Sequence, residues 1–154
     1  MINIKRMKMK KRIFLIAAFA AASFLMVFGS GIKSETGEAG IVFHDGSWEE
    51  ALQLAKSENK LIFLDVYATW CGPCRRLKAN TFPDAAVGKF YNANFINVAL
   101  DGEKGEGLEL ARKYNVRSYP SLLFIDANGE VVGRTTGYYN PVRFLDLGRA
   151  IQNL

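Results

Sequence analysis

Cysteine and histidine are nearly absent from this chain: its 154 residues hold two cysteines and one histidine, His44. A tetrahedral structural zinc site takes four ligands, drawn mostly from these two residue types, so the composition argues against one. A disulfide-stapled scaffold is equally poorly served. The two cysteines lie three positions apart, and closing so short a loop contributes only about 2 kcal/mol. His44 has no partner motif near it in sequence and reads as a surface or strand-end residue rather than a ligand or base. Acidic residues are missing from the first twelve positions, which carry Lys5, Arg6, Lys8, Lys10, Lys11 and Arg12. Those six create the formal charge of +5, because the remaining 14 Lys and Arg face all 15 Asp and Glu. A nearly neutral body without basic clusters excludes nucleic acid as a partner. The glycine-rich stretch Gly102 to Gly107 is not followed by Gly-Lys-Ser/Thr, which speaks against nucleotide binding.

The basic start is followed by an uncharged apolar run from Ile13 to Phe28. Together they have the pattern of a secretory signal, or of an N-terminal anchor if the segment is retained. The expected organisation is a signal peptide or anchor over residues 1–30, a polar, glycine-rich flexible linker over 31–40, and one domain over 41–154. No cysteine follows the apolar run, which excludes lipoprotein-type lipid attachment. Basic residues stay inside, so the domain is expected outside the cytoplasm, in the periplasm or an equivalent extracytoplasmic space. Membrane contact would be through the N-terminal segment alone.

What the chain does have is one tight constellation, Trp70-Cys71-Gly72-Pro73-Cys74. Before it runs Leu61 to Tyr67, apolar and rich in strand formers, and after it a basic, helix-compatible segment. The cysteines are therefore expected where a strand ends and a helix begins. The unpaired N–H groups and partial positive charge of a helix start stabilise a thiolate. Cys71, at the first turn, is the candidate exposed nucleophile, and Cys74, one turn further in, the more buried partner. Pro73 suits a first helical turn, and Gly72 keeps the approach to Cys71 open. A pair of inert core thiols fits this turn poorly.

Around this centre the chain reads as alternating elements. Ile41 to His44 is expected as a short strand, and Ser47 with Glu50 as a capping box opening a helix with Trp48, Ala51, Leu52 and Ala55 on its apolar face. Asp65 stands in an otherwise apolar strand, where an unpaired carboxylate raises its pKa, unless the side chain reaches solvent or caps a turn. Pro83 should break the helix that follows Cys74, with a second helical piece from Asp84 to Tyr91. Arg75 and Arg76 read as a solvated helix face, the alternative being that they lower the Cys71 pKa a little. Asn94 to Asp101 is a central strand, Leu108 to Tyr114 a short helix, and Ser121 to Asp126 a strand joined to Glu130–Thr136 by an Asn128-Gly129 hairpin turn. Asn140-Pro141 opens a last helix with Phe144, Leu147 and Ile151 on one face. This order specifies an α/β sandwich, a central mixed β-sheet flanked by helices on both faces.

Asp65, the five-residue Trp70–Cys74 motif and Tyr119-Pro120 together resemble thioredoxin over the chain from Ile41 to its end. The resemblance implies the thioredoxin fold and a redox-active disulfide, Cys71 with Cys74, needing no other cofactor and no metal. It implies that Asp65 assists proton transfer to and from Cys74, and that Tyr119-Pro120 is a cis bond facing the cysteines. Trp70, Gly72, Pro73, Tyr119, Pro120 and Gly137 would shape the groove for an extended polypeptide substrate. Two departures stand out. Asn97 occupies the position where thioredoxins commonly carry a lysine near the aspartate, and Tyr119 is larger than the usual aliphatic residue or threonine. The Thr81-Phe82-Pro83-Asp84 break is more similar to the thioredoxin-like domains of transmembrane thiol:disulfide interchange proteins than to small cytosolic thioredoxin.

The implied activity is reduction of disulfides in extracytoplasmic proteins, with a membrane thiol–disulfide protein as electron donor. Gly-Pro between the cysteines resembles reducing thioredoxin, at about −270 mV, rather than a strong oxidant at about −120 mV. Thiol oxidation or isomerisation, and a non-catalytic thioredoxin-fold binding or chaperone module, are the alternatives.

Overall fold

The computed structural model describes residues 40–154; the signal peptide or anchor expected over 1–30 and all but the last residue of the expected linker lie outside the described residues. A four-stranded mixed sheet, β1 (Leu61–Tyr67), β2 (Phe95–Asp101), β3 (Ser121–Ile125) and β4 (Val131–Thr136), has the spatial order β2-β1-β3-β4. β1 pairs parallel with β2 and antiparallel with β3, and β3 pairs antiparallel with β4. β1, with neighbours on both edges, is buried at all five interior positions, which is why its sequence is a nearly unbroken apolar run.

Among the described residues five α-helices cover the two faces: α1 (Trp48–Glu58), α2 (Gly72–Arg76), α3 (Ala85–Asn94), α4 (Gly105–Lys113) and α5 (Pro141–Gln152). The pleat of β1 assigns its side chains to two cores. Ile62, Leu64 and Val66 pack with Trp48, Ala51 and Ala55 of α1 and Leu110 and Ala111 of α4. Phe63 points the other way, into an aromatic cluster with Phe82, Tyr91, Phe124 and Phe144. Asp65, two residues on, lies on the Phe63 face, the face that α2, α3 and α5 cover. Sheet parity thus puts this carboxylate on the face covered by the helix that begins at the cysteines, and it lines one cavity with Cys74 and Arg75 of that helix.

Helix starts follow local chemistry. The Ser47–Glu50 capping box is present at α1, and the Trp48 N–H also donates to Glu106 at 3.0 Å. Asp84 caps α3 through the N–H groups of Ala86 and Val87, and Asn140 caps α5 through that of Arg143.

Three expectations need correction. Ile41–His44 is not a strand: it makes single backbone bonds to two different partners, Phe82 and Asn97, and so never forms a ladder. The strand expected to be central from Asn94 to Asp101 is instead an edge strand: in the order β2-β1-β3-β4 it pairs, among the described residues, only with β1. The β3–β4 connection is also not a two-residue turn. Only Gly129 has positive φ, 83°, and the Asp126 carboxylate organises a longer loop by accepting the N–H groups of Asn128 and Glu130.

Candidate functional site: a disulfide at a helix start

β1 ends at Tyr67 and α2 begins at Gly72, so the cysteine motif occupies the strand-to-helix junction. Cys71 is the N-cap of α2. Its sulfur accepts the backbone N–H of Cys74 at 3.1 Å, a hydrogen bond a side-chain oxygen would accept at an ordinary cap. The two sulfurs are joined, with S–S 2.00 Å and Cα–Cα 5.3 Å. The structure is therefore of the oxidised form.

The expected contrast in exposure between the cysteines is not seen: Cys71 is 2% and Cys74 6% exposed. In the disulfide, the first sulfur is drawn in against Ala68 and its own partner, with Tyr67 and Tyr119 packed alongside. What separates the two residues is the backbone. Cys71 sits ahead of the helix and receives its N–H dipoles, whereas Cys74 lies inside the first turn. Gly72 is open, with no atom near the place a Cβ would take, and Pro73 stands in the first turn, where its missing N–H costs nothing.

Trp70, Tyr119-Pro120 and Gly137, expected to line a substrate groove, come from three separate loops. Trp70 is 65% exposed, its indole N–H donates to the Glu103 carboxylate at 3.0 Å, and its ring meets Tyr119 edge-on with centroids 6.0 Å apart. The Tyr119-Pro120 bond is cis. Pro120 accepts, at its carbonyl, the N–H of Gly137 at 3.1 Å, and Gly137 has φ 89° with open space where a Cβ would be. Burial, helped by the negative charges of Glu103 and Asp101, pushes the Tyr119 phenol up. Sequence reasoning missed Glu103, because a loop glutamate 33 residues from the tryptophan carries no local signal.

Arg75 folds back to donate to the carbonyls of Thr69 (3.4 Å) and Trp70 (3.0 Å), and Arg76 lies over the Tyr138 ring at 4.0 Å. These arginines hold the loop and the neighbouring segment, which is more than the solvated face expected of them. After α2 the chain widens into a π-helical turn, Leu77–Thr81, before the break at Pro83. Such turns carry an inserted residue and recur at functional sites.

Asp65 is 4% exposed, and its Oδ1 is buried without a hydrogen-bond partner. Burial pushes its carboxyl up to about 7, with Lys78 pulling it part of the way back. A cavity of about 380 Å³ adjoins it, lined by Asp65, Cys74, Ala99, Arg75 and Lys78 among others. Asn97 is not beside Asp65. In the parallel register Asn97 stands opposite Phe63 and Ala99 opposite Asp65, and the Asn97 amide donates to Val42 and Asn92.

A carboxyl poised near neutrality, a thiol beside it and a second sulfur at a helix start can shuttle a proton while a disulfide forms and breaks. Among the described residues no cluster of His, Cys, Asp and Glu suited to a metal ion is present.

A thioredoxin-like domain family matches residues 48–152. The chain is 30% identical over 146 residues to the thiol:disulfide interchange protein DsbD of Tatumella citrea, an alignment covering 90% of this chain and 25% of that protein. It thus spans about a quarter of the length of that curated relative. The solution structure of a candidate disulphide isomerase from Bacteroides thetaiotaomicron is 46% identical, with TM-score 0.63 over 72% of this chain and 94% of the other. A thioredoxin from Thermus thermophilus superimposes with TM-score 0.64 at 26% identity, over 73% of this chain and 88% of that one. With its strand-to-helix cysteine pair, cis-proline loop and buried aspartate, this chain belongs to the thioredoxin-like family.

Proposed function

We propose that this protein is a thiol–disulfide oxidoreductase that reduces disulfides of proteins outside the cytoplasm. The observation that carries the proposal is the Cys71 sulfur at the N-cap of α2, bonded to Cys74 and receiving the Cys74 N–H. In the reduced protein the same N–H and helix dipole favour the Cys71 thiolate. That thiolate attacks a substrate disulfide, giving a mixed disulfide and a released substrate thiolate. Cys74 gives up its proton to Asp65 and attacks the Cys71 sulfur, and the second substrate sulfur leaves and takes a proton from water. Two electrons pass from the Cys71–Cys74 dithiol to the substrate.

Trp70, Tyr119, Pro120 and Gly137 form the face against which an extended substrate strand would lie, with Gly72 and Pro73 leaving the sulfur accessible. The signal or anchor expected over residues 1–30 supports an extracytoplasmic site. Similarity to DsbD supports a membrane thiol–disulfide protein as the source of electrons. The likeness to the Bacteroides protein supports isomerisation as a second reading.

Insulin reduction by the wild-type protein and by Cys71→Ser tests the activity: turnover that survives the substitution refutes it. Equilibration with glutathione tests direction, since a potential near the oxidant end, about −120 mV, would overturn the reductase assignment. Refolding of a scrambled disulfide protein separates isomerase from reductase.

A further inference from the structure

The cavity behind Cys74 is lined by a lysine that the implied mechanism does not use. Asp65 lines its wall on β1, Cys74 lies on α2, and Lys78, from the π-helical turn, lines it too. Lys78 is exposed as a residue and at the same time lines the cavity, a placement a long amphipathic side chain allows. Among the described residues it has no salt-bridge partner, all three ion pairs being elsewhere. The other charged groups on the cavity are accounted for: Arg75 is engaged with the Thr69 and Trp70 carbonyls, and across the sheet β2 contributes only Ala99. Tyr67 is the remaining group there with an ionisable proton. Asn97 on β2 turns its amide to Val42 and Asn92 and supplies no cation to Asp65.

We infer that Lys78 is a positioning residue for the resolving half of the reaction, supplying from the helix side the positive charge that keeps Asp65 available as a base for Cys74. This rests on the function proposed above. In the resolving step the Cys74 thiol transfers its proton to the Asp65 carboxylate, and the Cys74 thiolate attacks the Cys71 sulfur. The bond from Cys71 to the substrate breaks, and the substrate sulfur leaves with the bonding pair and is protonated by water. The proton on Asp65 then departs through the cavity past Lys78. A lysine charge at this cavity stabilises the ionised carboxylate, and of the two cysteines it is Cys74, not Cys71, that lines the cavity with it. Burial raises the Asp65 carboxyl and Lys78 opposes that rise, the direction this role requires.

The test uses the full chain with Lys78→Met, Lys78→Arg and, as a control on another exposed lysine, Lys89→Met. In the oxidised protein the Asp65 carboxyl carbon is followed by NMR against pH. Lys78→Met is expected to raise its midpoint by about one pH unit, while Lys78→Arg and Lys89→Met leave it in place. With Cys71 held in a preformed mixed disulfide and Cys74 free, resolution should slow up to about tenfold in Lys78→Met on the acid side of the midpoint and match wild type at high pH. An unmoved Asp65 midpoint in Lys78→Met, or a slowing equal at all pH values, overturns the inference. Failure of the wild-type protein to reduce insulin would instead refute the proposed function, and the NMR midpoint would still decide the role of Lys78.

Discussion

The backbone N–H of Cys74 points at the sulfur of Cys71, 3.1 Å away, and makes that sulfur the cap of the helix it begins. The same hydrogen bond that satisfies an orphan donor of α2 in the disulfide form is available to hold a thiolate once the bond is reduced. The asymmetry between the two cysteines is therefore built into the backbone. It gives them different expected behaviour even though both are buried in the oxidised state.

Cys71→Ser should abolish insulin reduction, whereas Cys74→Ser should still attack substrate and stop at a mixed disulfide. Mass spectrometry after incubation with a disulfide-bonded peptide checks this. The adduct is expected on Cys71 in Cys74→Ser and absent in Cys71→Ser, and the reverse pattern would exchange the two roles.

Asp65 makes the oxidised protein less stable as pH rises. Its folded carboxyl lies at about 7 against an ordinary value of 3.8, so between these values the folded state holds a proton the unfolded chain has lost. The contribution is fully present below about pH 4 and is lost as pH rises through 7. Asp65→Asn should remove this dependence and gain stability over wild type towards and above pH 7, by up to about 4 kcal/mol. Urea unfolding from pH 5 to 8 reads it, and parallel curves for the two proteins would contradict the buried, unpartnered state of this carboxylate.

Gly137 supplies both the N–H that reaches Pro120 and an open surface at φ 89°. Gly137→Val should strain the backbone by about 1–2 kcal/mol and obstruct the groove. The expected outcome is a raised KM for a protein substrate with little change in reaction towards a small disulfide reagent, and equal losses on both would remove Gly137 from the groove.

Glu103 holds the Trp70 indole beside Tyr119. Glu103→Ala should leave the fold intact, since both partners are exposed, and weaken substrate capture several-fold by letting the ring move. A change in Trp70 fluorescence anisotropy should accompany it, measured in a Trp48→Phe background because Trp48 is the other indole.

Phe63 is the centre of the aromatic core, in ring contact with Phe82, Tyr91, Phe124 and Phe144. Phe63→Ala should cost about 3–5 kcal/mol, checked by denaturant unfolding. Because this cluster packs on the Asp65 face of β1, a smaller loss of activity should follow in the surviving folded fraction.

Much of this molecule was legible in local sequence. The Ser47–Glu50 box, the proline break at Pro83, the apolar run of β1 and the strand-to-helix place of Cys71 each depend on a few neighbouring residues, and each is found where the pattern puts it. The motif Trp70 to Cys74 carried the family. Neighbours in sequence are neighbours in space within one turn or one strand, so backbone sterics and capping decide these features before any core forms.

Tertiary structure decided the rest. Whether Ile41–His44 becomes a strand depends on a continuous partner edge, and the fold offers it only two isolated bonds. Which residue faces Asp65 depends on the β1–β2 register, which brings up Ala99 and leaves Asn97 against Phe63. Glu103 reaching Trp70, and Lys78 reaching the cavity of Asp65, are contacts between elements that no spacing rule links. A side chain's chemistry is written in the sequence, but the dielectric and the charges around it exist only once distant segments have packed.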